Sequence, residues 1–187
     1  MAQPVSVCHQ WSMTGMPSSS PAHRYVSSYL SRFPGFYLSG DGGHVDGDGY
    51  LFVMGRMDDV INVAGHRLST GAMEEVLAGH PAVAECAVIG VADALKGQVP
   101  RGFVVLKAGV STDPGVVADE LVQRVRTEIG AVASLRRVDV VAALPKTRSG
   151  KILRGSMRAI ADGVEQPVPS TIEDPAVLDA LRPTLRS

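Results

Sequence analysis

Three short clusters combine glycines with fixed charges in a way that suits a ligand carrying phosphates. The first is YLSGD at residues 37–41, in which Asp41 directly follows a glycine. A carboxylate held at such a turn can accept hydrogen bonds from a vicinal diol, such as that of a ribose. Aspartate beside glycine is also ordinary turn chemistry, so this cluster alone leaves both interpretations open.

The second cluster, GRMDDVINVAGHR at residues 55–67, places arginines, aspartates and glycines around a short apolar strand. Guanidinium groups match phosphate oxygens, and Gly65 would let a thin ligand approach the backbone closely. A surface hairpin with Asp–Arg pairs explains the same residues equally well. His66 fits a structural or solvated histidine more readily than a base.

The third cluster, LPKTRSGKILR at residues 144–154, is a cationic loop bounded by proline and glycine. Its Gly-Lys pair is similar to the end of a P-loop, but Ile152 replaces the required serine or threonine and the earlier glycine is missing, so the Walker A motif is rejected. A loop presenting Lys151 as a point charge would suit an anionic transition state. A solvated cationic turn is the alternative.

Composition narrows the possible classes of function. The 187 residues are 45% hydrophobic and 20% charged with a net charge of −1, which predicts a globular chain of about one domain. Because there is no basic excess, we expect no nucleic-acid partner. No apolar run is long enough for a membrane helix, so no membrane role is expected. Two cysteines cannot build a disulfide framework, which favours a reducing compartment.

Hydrophobic periodicity and turn residues predict how these clusters are positioned. We expect an unstructured or unrelated N-terminus at 1–23, a β-hairpin within 24–55 that turns at residues 46–49, an α+β domain at 56–163, and an extended tail at 164–187. Within the domain the predicted order is β, α, β, β, α, β, α. Its strands are predicted at 60–63, 83–91, 103–106 and 138–141, and its helices around 73–77, 117–129 and 153–160.

In this order and wording, the three clusters resemble the C-terminal part of short-chain acyl-CoA synthetases, in the acyl-adenylate-forming superfamily. YLSGD is similar to the ribose-binding motif of that family, GRMDDVINVAGHRLST to its hinge and CoA-side motif, and LPKTRSGKILR to the motif with the catalytic lysine. The resemblance covers residues 24 to 180. It implies an α+β fold, namely the small C-terminal lid domain, preceded by a β-hairpin remnant of the large N-terminal domain.

The resemblance implies a two-step reaction that uses ATP, CoA and Mg²⁺. A carboxylate and MgATP give an acyl-adenylate and pyrophosphate, and the CoA thiol then displaces AMP. The implied roles are catalysis for Lys151, nucleotide binding for Asp41, Arg56 and Arg67, a hinge at Asp58, CoA binding for Gly65, His66 and Arg126, and a magnesium site at Ala78, His80 and Val83. Lys151 is also the position that lysine acyltransferases and deacylases would modify.

The large N-terminal domain of that family, with its phosphate loop and acyl pocket, has no counterpart in these residues. We therefore expect the chain to be inactive without that domain. The segments RGSMRAIADG and STIEDPAVLDAL are more similar to propionyl-CoA than to acetyl-CoA synthetases. The acyl pocket, which would distinguish propionate from acetate, belongs to the large N-terminal domain of the family. The alternative is a stand-alone, non-catalytic module that binds CoA or nucleotide, or serves as a lysine-acylation substrate. The expected compartment is the cytoplasm or, alternatively, the mitochondrial matrix.

Overall fold

The computed structural model describes residues 25–27, 29–56 and 59–187, with the backbone alone for 54–56. The chain divides into two units, Met1–Asp58 and Asp59–Ser187. The expectation for residues 1–23 lies outside the described residues, as does the hinge residue Asp58.

The first unit contains the β-hairpin predicted around the turn at residues 46–49. Strands β1 (Asp41–Val45) and β2 (Leu51–Arg56) are antiparallel, with Asp41 opposite Arg56 in the register. The turn is stabilised by Asp46, whose Oδ1 accepts hydrogen bonds from the backbone N–H groups of Asp48 and Tyr50 at 3.0 and 2.9 Å. Such a side-chain acceptor is the reason aspartate favours turns.

The second unit is built on a five-stranded sheet, whose strands are β3 (Val60–Val63), β4 (His66–Ser69), β5 (Val83–Asp93), β6 (Gly97–Leu106) and β7 (Val138–Val140). The neighbour order is β4-β3-β6-β5, and β7 pairs in parallel with β6. The helices are α1 (Thr70–Ala78), α2 (Pro114–Glu128), α3 (Arg154–Ala161) and α4 (Pro175–Arg186). The mixed α+β class predicted from the sequence is confirmed.

Both faces of the sheet are covered by helices, which explains the nearly continuous apolar run in β5. Side chains alternate between the faces of a strand. Val88 accordingly packs in the core beneath α1 and α2, whereas Ala87 and Ile89 pack in a second core with α3 and α4. Within the described residues, no helix combines the length and apolar content needed to cross a membrane.

Helices α1, α2 and α4 begin where the sequence supplies a side-chain cap, whereas α3 begins after Leu153 without one. The Asp113 carboxylate accepts the N–H groups of Gly115 and Val116 at 2.8 and 3.3 Å, and Pro114 occupies the first turn of α2, where its missing N–H costs nothing. Ser69 caps α1 by accepting from Ala72 at 3.4 Å. Helix α2 therefore begins at Pro114, three residues before the range 117–129 predicted for it.

The prediction of an extended tail at 164–187 is wrong for residues 175–186, which form α4. Asp174 caps this helix, and three leucines on one of its faces are buried against the second core: Leu178, Leu181 and Leu185. Their spacing is helical. The prolines at 167 and 169 precede α4 and affect only the segment that leads into it.

One strand was missed, because the prediction stopped at residue 63. Strand β4 returns from β3 through a two-residue turn in which Ala64 and Gly65 have φ of 49° and 87°. Positive φ at both central residues is the geometry that continues a twisted β-hairpin. The turn geometry therefore explains a glycine at position 65, in addition to the close approach of a ligand inferred from the sequence.

Candidate functional site

Lys151 lies on a short hairpin between β7 and α3, which we call the lysine hairpin (residues 146–152). Its two legs meet in an antiparallel bridge between Lys146 and Ile152. Thr147 fixes the turn, because its N–H donates to the Lys151 carbonyl at 2.8 Å and its Oγ1 accepts the Lys151 N–H at 3.1 Å. Gly150 closes the turn with φ of 80°.

The backbone of Lys151 is thus fixed, while its side chain is exposed. In the described part of the chain, no hydrogen bond or ion pair engages its ammonium group. A cation that is exposed and unpaired on a hydrogen-bonded turn can be presented to an anionic group without first breaking an ion pair. This is the geometry expected of a residue that contacts a phosphate or carboxylate.

Two neighbouring cations of the same cluster are paired. Lys146 contacts Glu85 of β5 at 2.5 Å, and Arg154 binds Glu74 of α1 through two parallel hydrogen bonds of 2.8 and 2.6 Å. The hydrogen bonds to Glu74 raise the pKa of Arg154 above its usual value. Within this cluster, Lys146 and Arg154 are therefore paired structural cations, whereas the exposed side chains of Lys151 and Arg148 are unpaired in the described part of the chain.

The half-buried thiol of Cys86 lies beside this arrangement and donates to the Glu74 carbonyl at 3.3 Å. Burial, assisted by the negative charge of Glu74, raises the pKa of Cys86 to about 11. A thiol protonated at neutral pH is a poor nucleophile. Cys86 is accordingly part of the packing rather than a catalytic group.

The turn between β3 and β4, which we call the glycine hairpin (residues 63–67), carries the predicted CoA-side residues. Gly65, His66 and Arg67 are all exposed, and Arg67 lies opposite Asn62 in the register. The hairpin is attached to the sheet where Val63 pairs with Gly97 and the Ala64 N–H donates to the Lys96 carbonyl at 2.9 Å.

The two hairpins attach to opposite ends of the β5–β6 ribbon. The lysine hairpin is bound to Glu85, whereas the glycine hairpin is bound at Gly97, whose partner in β5 is Asp93. Glu85 and Asp93 are eight residues apart, and a strand rises about 3.3 Å per residue, so the attachment points are about 26 Å apart. The two hairpins are therefore anchored at well-separated points of the same ribbon.

The predicted nucleotide residues belong to different units. Asp41 is exposed at the start of β1, directly opposite Arg56 in the hairpin register, so the first unit brings these two positions together. The side chain of Arg56 lies outside the described part, and Arg67 belongs to the second unit. Arg126 is exposed in the last turn of α2, where a cation complements the helix dipole.

The proposed magnesium residues lie between α1 and β5. The ring of His80 is fully engaged, since its Nδ1 accepts the Ala82 N–H at 3.2 Å and its Nε2 faces Glu120 at 3.1 Å. No group of three or more His, Cys, Asp or Glu side chains suited to a metal occurs among the described residues. His80 thus offers no ring nitrogen to a metal, and Mg²⁺ prefers oxygen ligands. The magnesium site at Ala78, His80 and Val83, two of which would act through backbone carbonyls, stays a prediction.

Sequence reasoning missed the acidic partners Glu74 and Glu85. Glu85 stands inside the apolar run of β5, and a charged residue in a buried strand is the signal that a partner is needed. The position of Glu74 near the start of a helix already explains an acidic residue there, because the helix dipole favours anions. Nothing in its spacing indicated a contact with Arg154, which is 80 residues away.

This fold and these motifs match known proteins. Residues 72–151 match the family model described as the AMP-binding enzyme C-terminal domain. A crystal structure of a Brucella canis acyl-CoA synthetase superposes with a TM-score of 0.52 and 40% identity, over 70% of this chain and 24% of that one. The second unit thus has the fold of the C-terminal domain of acyl-adenylate-forming enzymes.

Three proteins are similar to this chain in sequence. An uncharacterized protein of Pseudomonas aeruginosa is 58% identical over 167 residues, covering 87% of this chain and 26% of the relative. The mitochondrial acyl-CoA synthetase short-chain family member B of Dictyostelium discoideum is 50% identical, covering 82% and 22%. Acetyl-coenzyme A synthetase of Penicillium chrysogenum is 47% identical, covering 88% and 24%.

The chain therefore belongs to the acyl-adenylate-forming superfamily and corresponds to the C-terminal region of short-chain acyl-CoA synthetases. It spans about a quarter of the length of the relatives it matches.

Proposed function

We propose that this chain supplies the C-terminal lid of an AMP-forming short-chain acyl-CoA synthetase and acts together with a larger adenylate-binding domain. The observation that carries the proposal is that the hairpin with the exposed, unpaired Lys151 attaches to the β5–β6 ribbon about 26 Å from the attachment point of the hairpin with the exposed Gly65, His66 and Arg67. Two functional surfaces at opposite ends of one sheet suit an enzyme whose small domain turns between two half-reactions.

In the first half-reaction, a carboxylate oxygen attacks the α-phosphorus of ATP, the bond to the bridging oxygen breaks, and pyrophosphate leaves. Negative charge accumulates at the α-phosphate in this step. The Lys151 ammonium would contact the carboxylate and the α-phosphate, where a fixed cation stabilises the transition state more than the ground state. Mg²⁺ would accompany the ATP phosphates.

In the second half-reaction, the CoA sulfur attacks the acyl carbonyl, the acyl–phosphate bond breaks, and AMP leaves; the thiol proton is released. The glycine hairpin would then face the thiol channel. Gly65 has no side chain to obstruct a pantetheine chain, and Arg67 would meet nucleotide phosphates. Arg126 would contact CoA from α2. Asp41 would hold the ribose, and Arg56 would contact the ribose or a phosphate. Asp58, between the two units, would be the hinge.

A fusion enzyme tests this proposal. Residues 24–187 replace the corresponding C-terminal quarter of Penicillium chrysogenum acetyl-coenzyme A synthetase, and acetyl-CoA formation is measured alongside the host enzyme and the host without its C-terminal quarter. We expect the fusion to restore activity that the shortened host lacks. Lys151→Ala in the fusion should abolish pyrophosphate release from ATP and acetate, whereas Lys107→Ala, which removes another exposed lysine, should not.

A folded fusion without activity would contradict the proposal. The alternative of a stand-alone binding module would then be tested by calorimetric titration of the 187-residue chain with CoA, AMP and ATP. Saturable binding by this chain alone would favour that alternative.

The acid used and the compartment are further parts of the proposal. We propose propionate ahead of acetate on the similarity of residues 154–163 and 170–181 to propionyl-CoA synthetases. We propose the cytoplasm, with the mitochondrial matrix as the alternative, since the name of the Dictyostelium relative includes that organelle. The exposure of Lys151 also suits modification by a lysine acyltransferase, which would remove the charge that adenylation needs.

A further inference from the structure

The lysine hairpin is bonded along its backbone to residues 171–173, and the segments at its two ends are held by ion pairs. Its first leg is held where Lys146 contacts Glu85 of β5. Its second leg runs from Lys151 into α3, whose first residue is Arg154. Arg154 is held by Glu74 of α1, across the open edge of β5.

Glu74 makes three contacts with its single carboxylate. Its Oε1 accepts from the Arg154 Nε and from the backbone N–H of Val88, each at 2.8 Å, and its Oε2 accepts from an Arg154 terminal nitrogen at 2.6 Å. Because β5 is an edge strand, the Val88 N–H has no strand partner on that side. We call these contacts the Glu74 clamp.

The clamp joins elements from both faces of the sheet. Helix α1 packs in the first core and α3 in the second, so Glu74 and Arg154 connect the two layers around β5. The Glu74 side chain is 16% exposed and the Arg154 side chain 33% exposed. A bidentate Arg–carboxylate pair at this degree of burial fixes the relative orientation of the two side chains as well as the distance between them.

We propose that Glu74 is a positioning residue for Lys151: through Arg154 it fixes where α3 starts and hence the direction in which the lysine hairpin presents its ammonium. This inference rests on the proposed function. Glu74 touches no substrate and acts only through Arg154. Its contribution is thus limited to the half-reaction in which Lys151 takes part.

The test compares two adjacent glutamates. Glu74→Gln weakens the clamp, and Glu75→Gln makes the same chemical change at an exposed neighbour for which no side-chain contact is described. In the fusion enzyme, we expect Glu74→Gln to slow the adenylation half-reaction about 10- to 100-fold, the range that a displacement of roughly 1 Å can cause. Thioester formation from supplied acyl-adenylate should stay within about twofold of the unmodified fusion.

Hydrogen–deuterium exchange on the 187-residue chain gives a readout that does not depend on activity. We expect the amides of Thr147 and Lys151 to exchange faster in Glu74→Gln than in Glu75→Gln, while the buried amides of β6 are unchanged. Arg154→Lys keeps the positive charge but cannot form two parallel bonds, so it should reproduce the effect of Glu74→Gln. The double variant Glu74→Gln/Arg154→Lys should catalyse adenylation no more slowly than the slower of the two single variants, because both substitutions disrupt the same contact.

The outcomes separate the two claims. If Lys151→Ala leaves adenylation intact, the proposed function fails. If Lys151→Ala abolishes adenylation but Glu74→Gln matches Glu75→Gln in rate and exchange, only the positioning role fails. Equal losses in both half-reactions, with faster exchange throughout the domain, would show that Glu74 serves general stability and would also overturn the positioning role.

Discussion

Replacing Arg101 should destabilise the second unit more than replacing other arginines of the domain. Arg101 is 7% exposed, and among the described residues it is the only charged residue that is buried. Its guanidinium donates to Asp139 at 2.8 Å, to the Leu185 carbonyl at 3.0 Å and to the Thr184 carbonyl. These carbonyls lie in the last turn of α4, where no intrahelical partner exists.

The magnitude follows from what the Arg101→Met variant leaves unpaired. Breaking a buried ion pair by removing one partner costs about 3–5 kcal/mol. Asp139 keeps its second partner, Arg137, at 2.8 Å, so we expect the lower end, about 3 kcal/mol. For a domain of this size, each kcal/mol lowers Tm by roughly 2–4 °C, which predicts a fall of about 6–12 °C.

Thermal and urea unfolding of the 187-residue chain, followed by circular dichroism, would measure this effect. Arg136→Met is the matched control, since Arg136 is exposed and should change the free energy of unfolding by less than about 0.5 kcal/mol. Arg101→Lys should fall between the two, because one ammonium cannot replace a planar guanidinium that reaches both Asp139 and α4. An Arg101→Met chain that melts within about 2 °C of the Arg136→Met chain would refute this reasoning.

Two further outcomes are expected from local geometry. With Cys8 replaced by serine, the rate of alkylation of Cys86 in the folded chain should increase with pH up to about 11. The reason is that burial and the negative charge of Glu74 raise the pKa of Cys86 to about 11. A pH–rate curve with its inflection near pH 9 would contradict this. At neutral pH this shift leaves roughly 100-fold less thiolate than the unfolded chain has, so alkylation should be slower by at least that factor. Gly150→Ala should lose about 1–2 kcal/mol because φ there is 80°, whereas Gly155→Ala in α3 meets open space and should gain about 0.5–1 kcal/mol. Urea unfolding of both variants decides this, and equal effects would refute it.

Much of the second unit could be predicted because its sequence signals are local. The cap at Asp113, the nearly continuous apolar run of β5 and the helical spacing of Met73, Val76 and Leu77 each determine an element without reference to the rest of the chain. Helix α4 has equally local signals, a cap at Asp174 and leucines at helical spacing, but the prolines just before it suggested an extended chain.

The site was predictable only in part, for a physical reason. Glycine-bounded charges marked the lysine hairpin and the glycine hairpin correctly as exposed turns. Which of the clustered cations is free, however, depends on contacts between residues far apart in sequence. Glu74 and Glu85 neutralise Arg154 and Lys146, while the side chains of Lys151 and Arg148 are unpaired within the described residues. The spacing of these cations in the sequence does not indicate which of them are paired.

A crossed measurement of the two half-reactions tests the central claim most directly. In the fusion enzyme, Lys151→Ala and Gly65→Asn are each assayed for pyrophosphate release from ATP and acid, and for thioester formation from supplied acyl-adenylate and CoA. Asparagine tolerates positive φ better than other side chains, so Gly65→Asn adds bulk with little strain. We expect Lys151→Ala to lose the first activity and keep the second, and Gly65→Asn to show the reverse. If either variant loses both activities equally while remaining folded, the two hairpins do not serve separate half-reactions.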